Sequence, residues 1–327
     1  MGKNYLLFFF CFLGSICGNA IAQECQSIRL FESYHVQSGS IKAPGKYCLT
    51  SDIAQPKLFD IHSGRFKDFS GESLISIACS HDKKCSSLKN QETYQLDLQG
   101  RSLKADAENM VGIQNWSGGL RVSIKNGYLS VPGNRSPNQG ISLRGEEMAT
   151  AANNQDGGSQ DLSRKCWPSE LACENILASQ MSGNKRLAYK VSNYLIDKMT
   201  VRAGWRGITM GGGNNVLRDN TIEVDGNTAI YMYGPGSVIE NNTIIIHGNA
   251  DATPFDAAIK LRDAQGAVVR NNRIVYKGGW LGSPRAAINL LDSADVLIEG
   301  NTVEKFDKLI QVNGDSRYSE RGNSLNR

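Results

Sequence analysis

Several features that mark common protein classes are scarce in this chain of 327 residues. It has four His residues and a formal net charge of +4, and no basic run is interleaved with aromatic residues, so a nucleic-acid partner is not expected. After the N-terminal segment no stretch approaches the ~20 apolar residues that a transmembrane helix needs. The His residues do not cluster with the Cys residues, which disfavours a zinc site.

The start of the chain is typical of a secretory signal. Lys3 precedes an apolar stretch from Tyr5 to Cys17, and Ala20-Ile21-Ala22 supplies the small residues of a cleavage site. We therefore expect a signal peptide at residues 1–22, a mature chain that begins at Gln23, and a secreted or periplasmic location.

The expected mature chain keeps an even number of cysteines, which in an exported protein favours disulfides. The six residues are Cys25, Cys48, Cys79, Cys85, Cys166 and Cys173. Many pairings are open. Proximity in the sequence favours Cys79 with Cys85 and Cys166 with Cys173, which leaves Cys25 with Cys48.

An internal repeat dominates the rest of the chain. A pair of apolar residues five positions apart recurs roughly every 20 to 30 residues, which is the length of one coil of a solenoid. The pairs are Leu98/Leu103, Ile124/Leu129, Ile196/Val201, Leu217/Ile222, Ile239/Ile244, Val269/Ile274 and Ile298/Val303. In the last four copies an Asn follows three residues after the first apolar member: Asn220, Asn242, Asn272 and Asn301. Asn tolerates the left-handed conformation of a turn, and stacked Asn residues can share amide hydrogen bonds.

A second signature lies between these pairs, a small residue followed by an apolar, a polar and an apolar residue, as in Ala258-Ile259-Lys260-Leu261. This alternation predicts a strand with one buried and one solvated face. A coil of this length is too short for a strand and a helix, and the segments after the Asn turns are β-branched or aromatic. We predict three short parallel strands per coil.

The chain resembles the right-handed parallel β-helix proteins of the pectate-lyase-like class. The resemblance rests on the repeats "NVLRDNTIEV", "SVIENNTIII", "AVVRNNRIVY" and "DVLIEGNTVEKF", with "PGKYCLTSDI", "YQLDLQGRSL" and "VSIKNGYLSV" upstream. We predict an all-β fold, a single-stranded right-handed parallel β-helix solenoid with an N-terminal cap and inserted loops that flank one sheet. The expected divisions are a cap at residues 23–40, the β-helix at 41–313 with a long insertion at about 145–187, and a loose polar tail at 314–327.

The long insertion and two shorter ones, at residues 248–256 and 278–285, bracket the same sheet and predict a groove on it. Alternation assigns two columns of side chains to this face. The first column is Gln114, Ser142, Thr209, Tyr231, Lys260, Asn289 and Gln311. The second is Trp116, Arg144, Gly211, Tyr233, Arg262, Leu291 and Asn313. Aromatic rings, cations and amides together suit a polysaccharide that carries carboxylates.

A lyase that acts on such a polymer neutralises the carboxylate, removes the adjacent C5 proton and protonates the leaving oxygen. We assign these roles to Arg262, to Lys260 and to Tyr231 or Tyr233. The resemblance supports Lys260, because Lys or Arg serves as the base in β-helix polysaccharide lyases. The expected substrate-binding residues are Asn289, Gln311, Thr209, Trp116, Arg144 and Arg285.

Several alternatives stay open at this point. Lys260 and Arg262 can be ordinary solvated residues, and the protein can be a non-catalytic binding or scaffold protein. Glycoside hydrolysis is less favoured because neither column contains an acid, and a role in copper-site maturation is disfavoured by the scarcity of His and Met clusters. Asp263 and Asp292 stand at equivalent places on adjacent coils, where they can be catalytic, hold Ca²⁺ or, as we prefer, form bends. Whether the chain is an enzyme is therefore undecided, with a lyase favoured over a hydrolase.

Overall fold

The computed structural model describes the chain from residue 25 to residue 327, with gaps. The described residues are 25–28, 30–33, 36–55, 59–60, 65–66, 73–77, 93–106, 110–115, 120–133, 138–145, 191–226, 228–248, 256–278 and 286–327. Within these ranges every regular element is a strand. No helix there is long and apolar enough to cross a membrane.

The strands, in chain order, are β1 (Gln26–Ser27), β2 (Leu30–Ser33), β3 (Val36–Ile41), β4 (Gly45–Cys48), β5 (Ile53–Gln55), β6 (Phe59–Asp60), β7 (Arg65–Phe66), β8 (Ser73–Ile77), β9 (Thr93–Asp97), β10 (Ser102–Ala105), β11 (Val111–Asn115), β12 (Arg121–Val131), β13 (Gln139–Leu143), β14 (Leu195–Ala203), β15 (Arg206–Gly211), β16 (Val216–Arg218), β17 (Thr221–Val224), β18 (Thr228–Tyr233), β19 (Val238–Glu240), β20 (Thr243–Ile246), β21 (Ala257–Arg262), β22 (Val268–Arg270), β23 (Arg273–Tyr276), β24 (Ala286–Leu291), β25 (Val296–Glu299), β26 (Thr302–Glu304), β27 (Lys308–Asn313), β28 (Tyr318–Arg321) and β29 (Ser324–Asn326).

These strands stack as the coils of a parallel β-helix, which confirms the predicted all-β architecture. One coil is formed by β16, β17 and β18, and each of the three pairs in parallel with its counterpart in the next coil, β19, β20 and β21. The long strand β14 pairs with both β16 and β17, so it spans two faces of the coil. The third face is a sheet of ten strands in the order β2-β3-β8-β11-β13-β15-β18-β21-β24-β27.

The repeated apolar pairs fill the interior of the solenoid. Members such as Leu217, Ile222, Ile239 and Ile244 are almost completely buried and belong to one continuous core that runs along the chain. A coil that stacks on its neighbours removes this apolar surface from water, whereas an isolated coil cannot. The core therefore depends on the repetition itself.

The predicted Asn ladder is present. Asn220 Nδ2 donates to Asn242 Oδ1 at 2.9 Å, Asn242 Nδ2 donates to Asn272 Oδ1 at 3.0 Å, and Asn272 Nδ2 donates to Asn301 Oδ1 at 2.9 Å. The left-handed conformation, however, belongs to the residue before each ladder Asn, for example Asn271 with φ 55°. The expectation that the ladder Asn itself takes this conformation is corrected: its amide is needed for stacking, and its neighbour makes the turn.

The prediction of a loose polar tail at residues 314–327 is wrong. Strands β28 and β29 pair in parallel with β25 and β26 and add a further coil. Asn301 Nδ2 donates to Asn323 Oδ1 at 2.9 Å, so Asn323 extends the ladder. The sequence pattern hid this coil because Glu320 occupies the position that pairs with Ile298.

At the other end of the solenoid, Cys25 and Cys48 form a disulfide, which confirms that pairing. It joins the start of the chain to β4, beside the parallel pair of β1 and β4. Strands β2 and β3 are antiparallel, and β2 is the edge strand of the ten-stranded sheet. The expected signal peptide at 1–22, residues 146–187 of the long insertion and the four cysteines Cys79, Cys85, Cys166 and Cys173 lie outside the described residues.

Candidate functional site

The first predicted column is continuous in the ten-stranded sheet. In successive strands Gln114 pairs with Ser142, Ser142 with Thr209, Thr209 with Tyr231, Tyr231 with Lys260, Lys260 with Asn289, and Asn289 with Gln311. The second column is continuous from Gly211 through Tyr233, Arg262 and Leu291 to Asn313. The strand register therefore follows the repeat in the sequence.

The side chains of the first column face away from the core, yet they are not solvated. Residues on either side of Tyr231 and Lys260, such as Ile230 and Leu261, belong to the apolar core, so the alternate positions point outward. Nevertheless Tyr231 is 5% exposed and Lys260 4% exposed. The expectation of one solvated face is thus wrong for the central strands β15, β18 and β21, which are buried on both faces. A pattern of alternation along one strand does not report what covers its outer face.

A cluster of cations and aromatic rings lies at the centre of this face. The Lys260 Nζ is 5.3 Å from the centre of the Tyr231 ring, and the Arg206 Cζ is 4.8 Å from the same ring. The Tyr231 and Tyr233 rings are tilted, with their centres 5.6 Å apart. Together with Arg262, which pairs with Tyr233 in the register, these residues form what we call the cation–aromatic cluster. It consists of Arg206, Tyr231, Tyr233, Lys260 and Arg262.

Arg206 is the member that the sequence analysis missed. Its guanidinium also stacks on Trp205, with Cζ 4.6 Å from the ring centre, so it touches two aromatic rings. Burial lowers the pKa of Arg206 to about 10, while the nearby Tyr231, Asp256 and Tyr233 raise it. Arg206 is the first residue of β15, just outside the alternating segment that defined the two columns. Arg206 pairs with Gln139 and Thr228, which are the first residues of β13 and β18. A third column, built from the first residue of each strand, would therefore have included Arg206.

A glycine makes room for Tyr233. A Cβ atom at Gly211 would lie 2.2 Å from the Tyr233 ring, so the ring rests against the backbone of the preceding coil. Any larger residue at this position would force the ring to move. Gly211 therefore fixes where the phenol of Tyr233 stands relative to Tyr231.

Arg262 lies beside the acid that follows it in the chain. Its Nε is 3.8 Å from a carboxylate oxygen of Asp263, and both residues are buried. Asp263 has φ 48° and Asp292 has φ 49°, so both occupy left-handed bends at the ends of their strands. Asp292 also accepts a hydrogen bond from the backbone of Asp315 at 3.1 Å. These contacts agree with the preferred interpretation of both Asp residues as bend formers.

The remaining candidates are distributed along the same sheet. Asn289 is buried, and its Oδ1 accepts a hydrogen bond from Asn313 Nδ2 at 2.7 Å. Arg144, directly after β13, and Gln311, on β27, are half-buried. Trp116 and Arg285 lie outside the described residues. Within the described ranges, no three His, Cys, Asp or Glu side chains are grouped as a metal site requires.

A titratable pair lies where β17 and β20 end, on another face of the coil. His247 Nε2 and Glu223 Oε1 are 2.6 Å apart, and this hydrogen bond lowers the pKa of Glu223. Burial raises the pKa of the neighbouring Asp225, an effect that Arg202 and His247 partly offset.

The comparisons with known proteins agree with the architecture. Residues 187–326 match the family model described as right handed beta helix region. No curated protein and no solved structure matches the chain. The matched residues include the cation–aromatic cluster, the Asn ladder and the C-terminal coil, so this stretch of the chain is similar to the right-handed parallel β-helix family.

Proposed function

We propose that this is an exported carbohydrate-active protein that binds an acidic polysaccharide at the cation–aromatic cluster and cleaves it by β-elimination. The observation that carries the proposal is the position of Arg206 and Lys260, two basic side chains that share the ring of Tyr231. A uronate unit offers a carboxylate to the cations and a sugar face to the rings.

The charge of the cluster supports an anionic ligand. Arg206 and Arg262 bring two cations to one face beside the amine of Lys260, and Asp263 and Asp256 are acids close to them. Low local dielectric strengthens the attraction of such cations for a carboxylate. A neutral polymer would gain nothing from these charges.

The chemistry needs a proton acceptor and a proton donor on the two sides of the scissile bond. Lys260, in its neutral form, removes the C5 proton of the uronate, and the C5–H electrons form the C4=C5 double bond. The C4–O4 bond then breaks, and Tyr231 or Tyr233 supplies the proton that the O4 oxygen takes. Arg262 and Arg206 hold the carboxylate while negative charge accumulates on it.

Two features favour the neutral form of Lys260 in this scheme. Burial disfavours a charged amine, and Lys260 is 4% exposed. The positive charge of Arg206 on the same ring disfavours a second positive charge nearby. The same burial means that the polymer reaches Lys260 only after the atoms that cover the face have moved, so an opening step precedes the chemistry.

A second candidate function is binding without cleavage. The contact of the Lys260 Nζ with the Tyr231 ring favours it, because a cation–π contact stabilises the protonated amine, which cannot act as a base. Under this alternative, Lys260 and Arg262 hold the carboxylate and no bond breaks.

The test is an absorbance assay for the unsaturated product. The protein is incubated with polygalacturonate, alginate and glycosaminoglycans, and the new C4=C5 bond is followed in the ultraviolet. Elimination by the native chain is expected, and Lys260→Gln is expected to reduce the initial rate by about 100-fold or more, because it removes the base. Lys308→Ala, an exposed lysine on β27, is the matched control and is expected to keep the native rate. Binding without product would support the second candidate, and reducing ends without absorbance would mean hydrolysis.

A further inference from the structure

The first column changes character on the N-terminal side of Tyr231. Thr209, Ser142 and Gln114 continue the column coil by coil, and all three are uncharged. We call these three residues the hydroxyl subsite. They are 5%, 5% and 0% exposed, respectively. Arg144, two residues after Ser142, is the neighbouring cation on this side, so an acidic polymer is still compatible with the face.

Polar atoms of this subsite have no hydrogen-bond partner within the described structure. These atoms are the amide nitrogen and oxygen of Gln114 and the hydroxyl of Thr209. The hydroxyl of Thr228, on the same coil as Tyr231, is also buried without a hydrogen-bond partner there. Most buried polar groups in proteins are satisfied, and a buried group without a partner costs roughly 1–3 kcal/mol. Such atoms, aligned on one face beside a charged cluster, are suited to hydrogen bonds with a ligand.

We propose that the hydroxyl subsite binds the hydroxyl groups of uncharged sugar units. The amide of Gln114 offers a donor and an acceptor together, as neighbouring sugar hydroxyls require. Stacked strands are ~4.8 Å apart, so Gln114 lies roughly 14 Å from the coil of Tyr231, about three sugar units along an extended chain. The ligand is then a mixed polymer in which neutral units adjoin uronates. This inference rests on the proposed function and narrows its substrate class.

The experiment compares two oligosaccharides of equal length, one of uronate units only and one in which uronate alternates with neutral hexose. Binding is measured by surface plasmon resonance with the protein immobilised, where fresh oligomer replaces any that is cleaved. The variants are Gln114→Met and Thr209→Val, which keep the approximate shape and remove the polar atoms. Ser192→Ala is the matched control, because the Ser192 hydroxyl is equally buried and without a partner but lies before β14 and belongs to neither outward column.

We expect the alternating oligomer to bind more tightly than the uronate oligomer. Each subsite variant should weaken binding of the alternating oligomer by about fivefold to tenfold, the effect of losing one or two hydrogen bonds, and weaken the uronate oligomer less. Ser192→Ala should change neither affinity. Thermal unfolding should show that Gln114→Met and Thr209→Val are as stable as the native chain or more stable, because each removes an unsatisfied buried polar group.

Four results would overturn the inference. If both variants leave both affinities unchanged, the subsite does not contact the ligand. If they lower stability without changing affinity, the polar atoms serve folding through bound water. If neither oligomer binds the native chain, the proposed function fails and the inference fails with it. Binding of the uronate oligomer that Lys260→Gln weakens, with no effect of Gln114→Met, would sink the inference alone and leave the proposed function standing.

Discussion

The Asn ladder provides a quantitative test of how the coils are held together, through the substitution Asn272→Ala. The side chain of Asn272 makes four buried hydrogen bonds. Its Oδ1 accepts from the backbone N–H of Asn242 at 2.9 Å and from Asn242 Nδ2 at 3.0 Å. Its Nδ2 donates to the carbonyl of Ile239 at 3.0 Å and to Asn301 Oδ1 at 2.9 Å. Alanine removes all four and leaves buried partners unsatisfied.

The expected loss follows from these contacts. At about 1 kcal/mol per hydrogen bond, with some cost for partners left unpaired, Asn272→Ala should lower the free energy of unfolding by roughly 3 to 5 kcal/mol. Urea unfolding followed by circular dichroism measures this. With an m-value of about 3 kcal/mol/M, the midpoint should fall by about 1 to 1.7 M.

The control is Asn241→Gly, one coil away. Asn241 is exposed and has φ 57°, a conformation that Gly adopts without strain. Its substitution should change stability by no more than about 0.5 kcal/mol. A loss below about 1 kcal/mol for Asn272→Ala, or equal losses for the two variants, would refute the claim that the ladder braces the coils.

Two further predictions concern the site face and the neighbouring ion pair. Gly211→Ala should displace the Tyr233 ring and lower stability by about 1–3 kcal/mol, since a Cβ there would lie 2.2 Å from the ring. In the Tyr233→Ala background the same change should cost almost nothing, and an equal cost in both backgrounds by urea unfolding would disprove the contact. Because His247 lowers the pKa of Glu223, this carboxylate should stabilise the native chain above its unfolded pKa, and this contribution should be lost as the pH falls through its lower folded pKa. The difference in melting temperature between the native chain and Glu223→Gln should therefore shrink between about pH 5 and pH 3, and a constant difference would contradict the assignment.

The sequence predicted the register of the outer columns because the repeat has a fixed phase. Each apolar pair must enter the same core, and this places Tyr231, Lys260 and Asn289 on successive strands. The same argument predicted the Asn ladder, since Asn220 and its counterparts recur at one position of the coil. Stacking of equivalent residues is a local consequence of repetition, and a single sequence contains it.

Other features were not accessible from the pattern. The burial of Lys260 depends on atoms outside its own strand, which alternation along one strand does not encode. Arg206 escaped notice because it precedes the alternating segment, although it contacts Tyr231 from the adjacent coil. The C-terminal coil was missed because Glu320 replaces an apolar residue at an end where the core is less deeply buried.

The most direct test of the central claim is a crystal structure of the Lys260→Gln variant with a bound uronate oligomer. We expect a uronate ring against Tyr231, with its carboxylate within hydrogen-bond distance of Arg206 or Arg262 and its C5 hydrogen directed at residue 260. An oligomer bound to another face of the solenoid, or none bound in a crystal soaked at saturating concentration, would contradict the assignment of acidic polysaccharide binding to the cation–aromatic cluster.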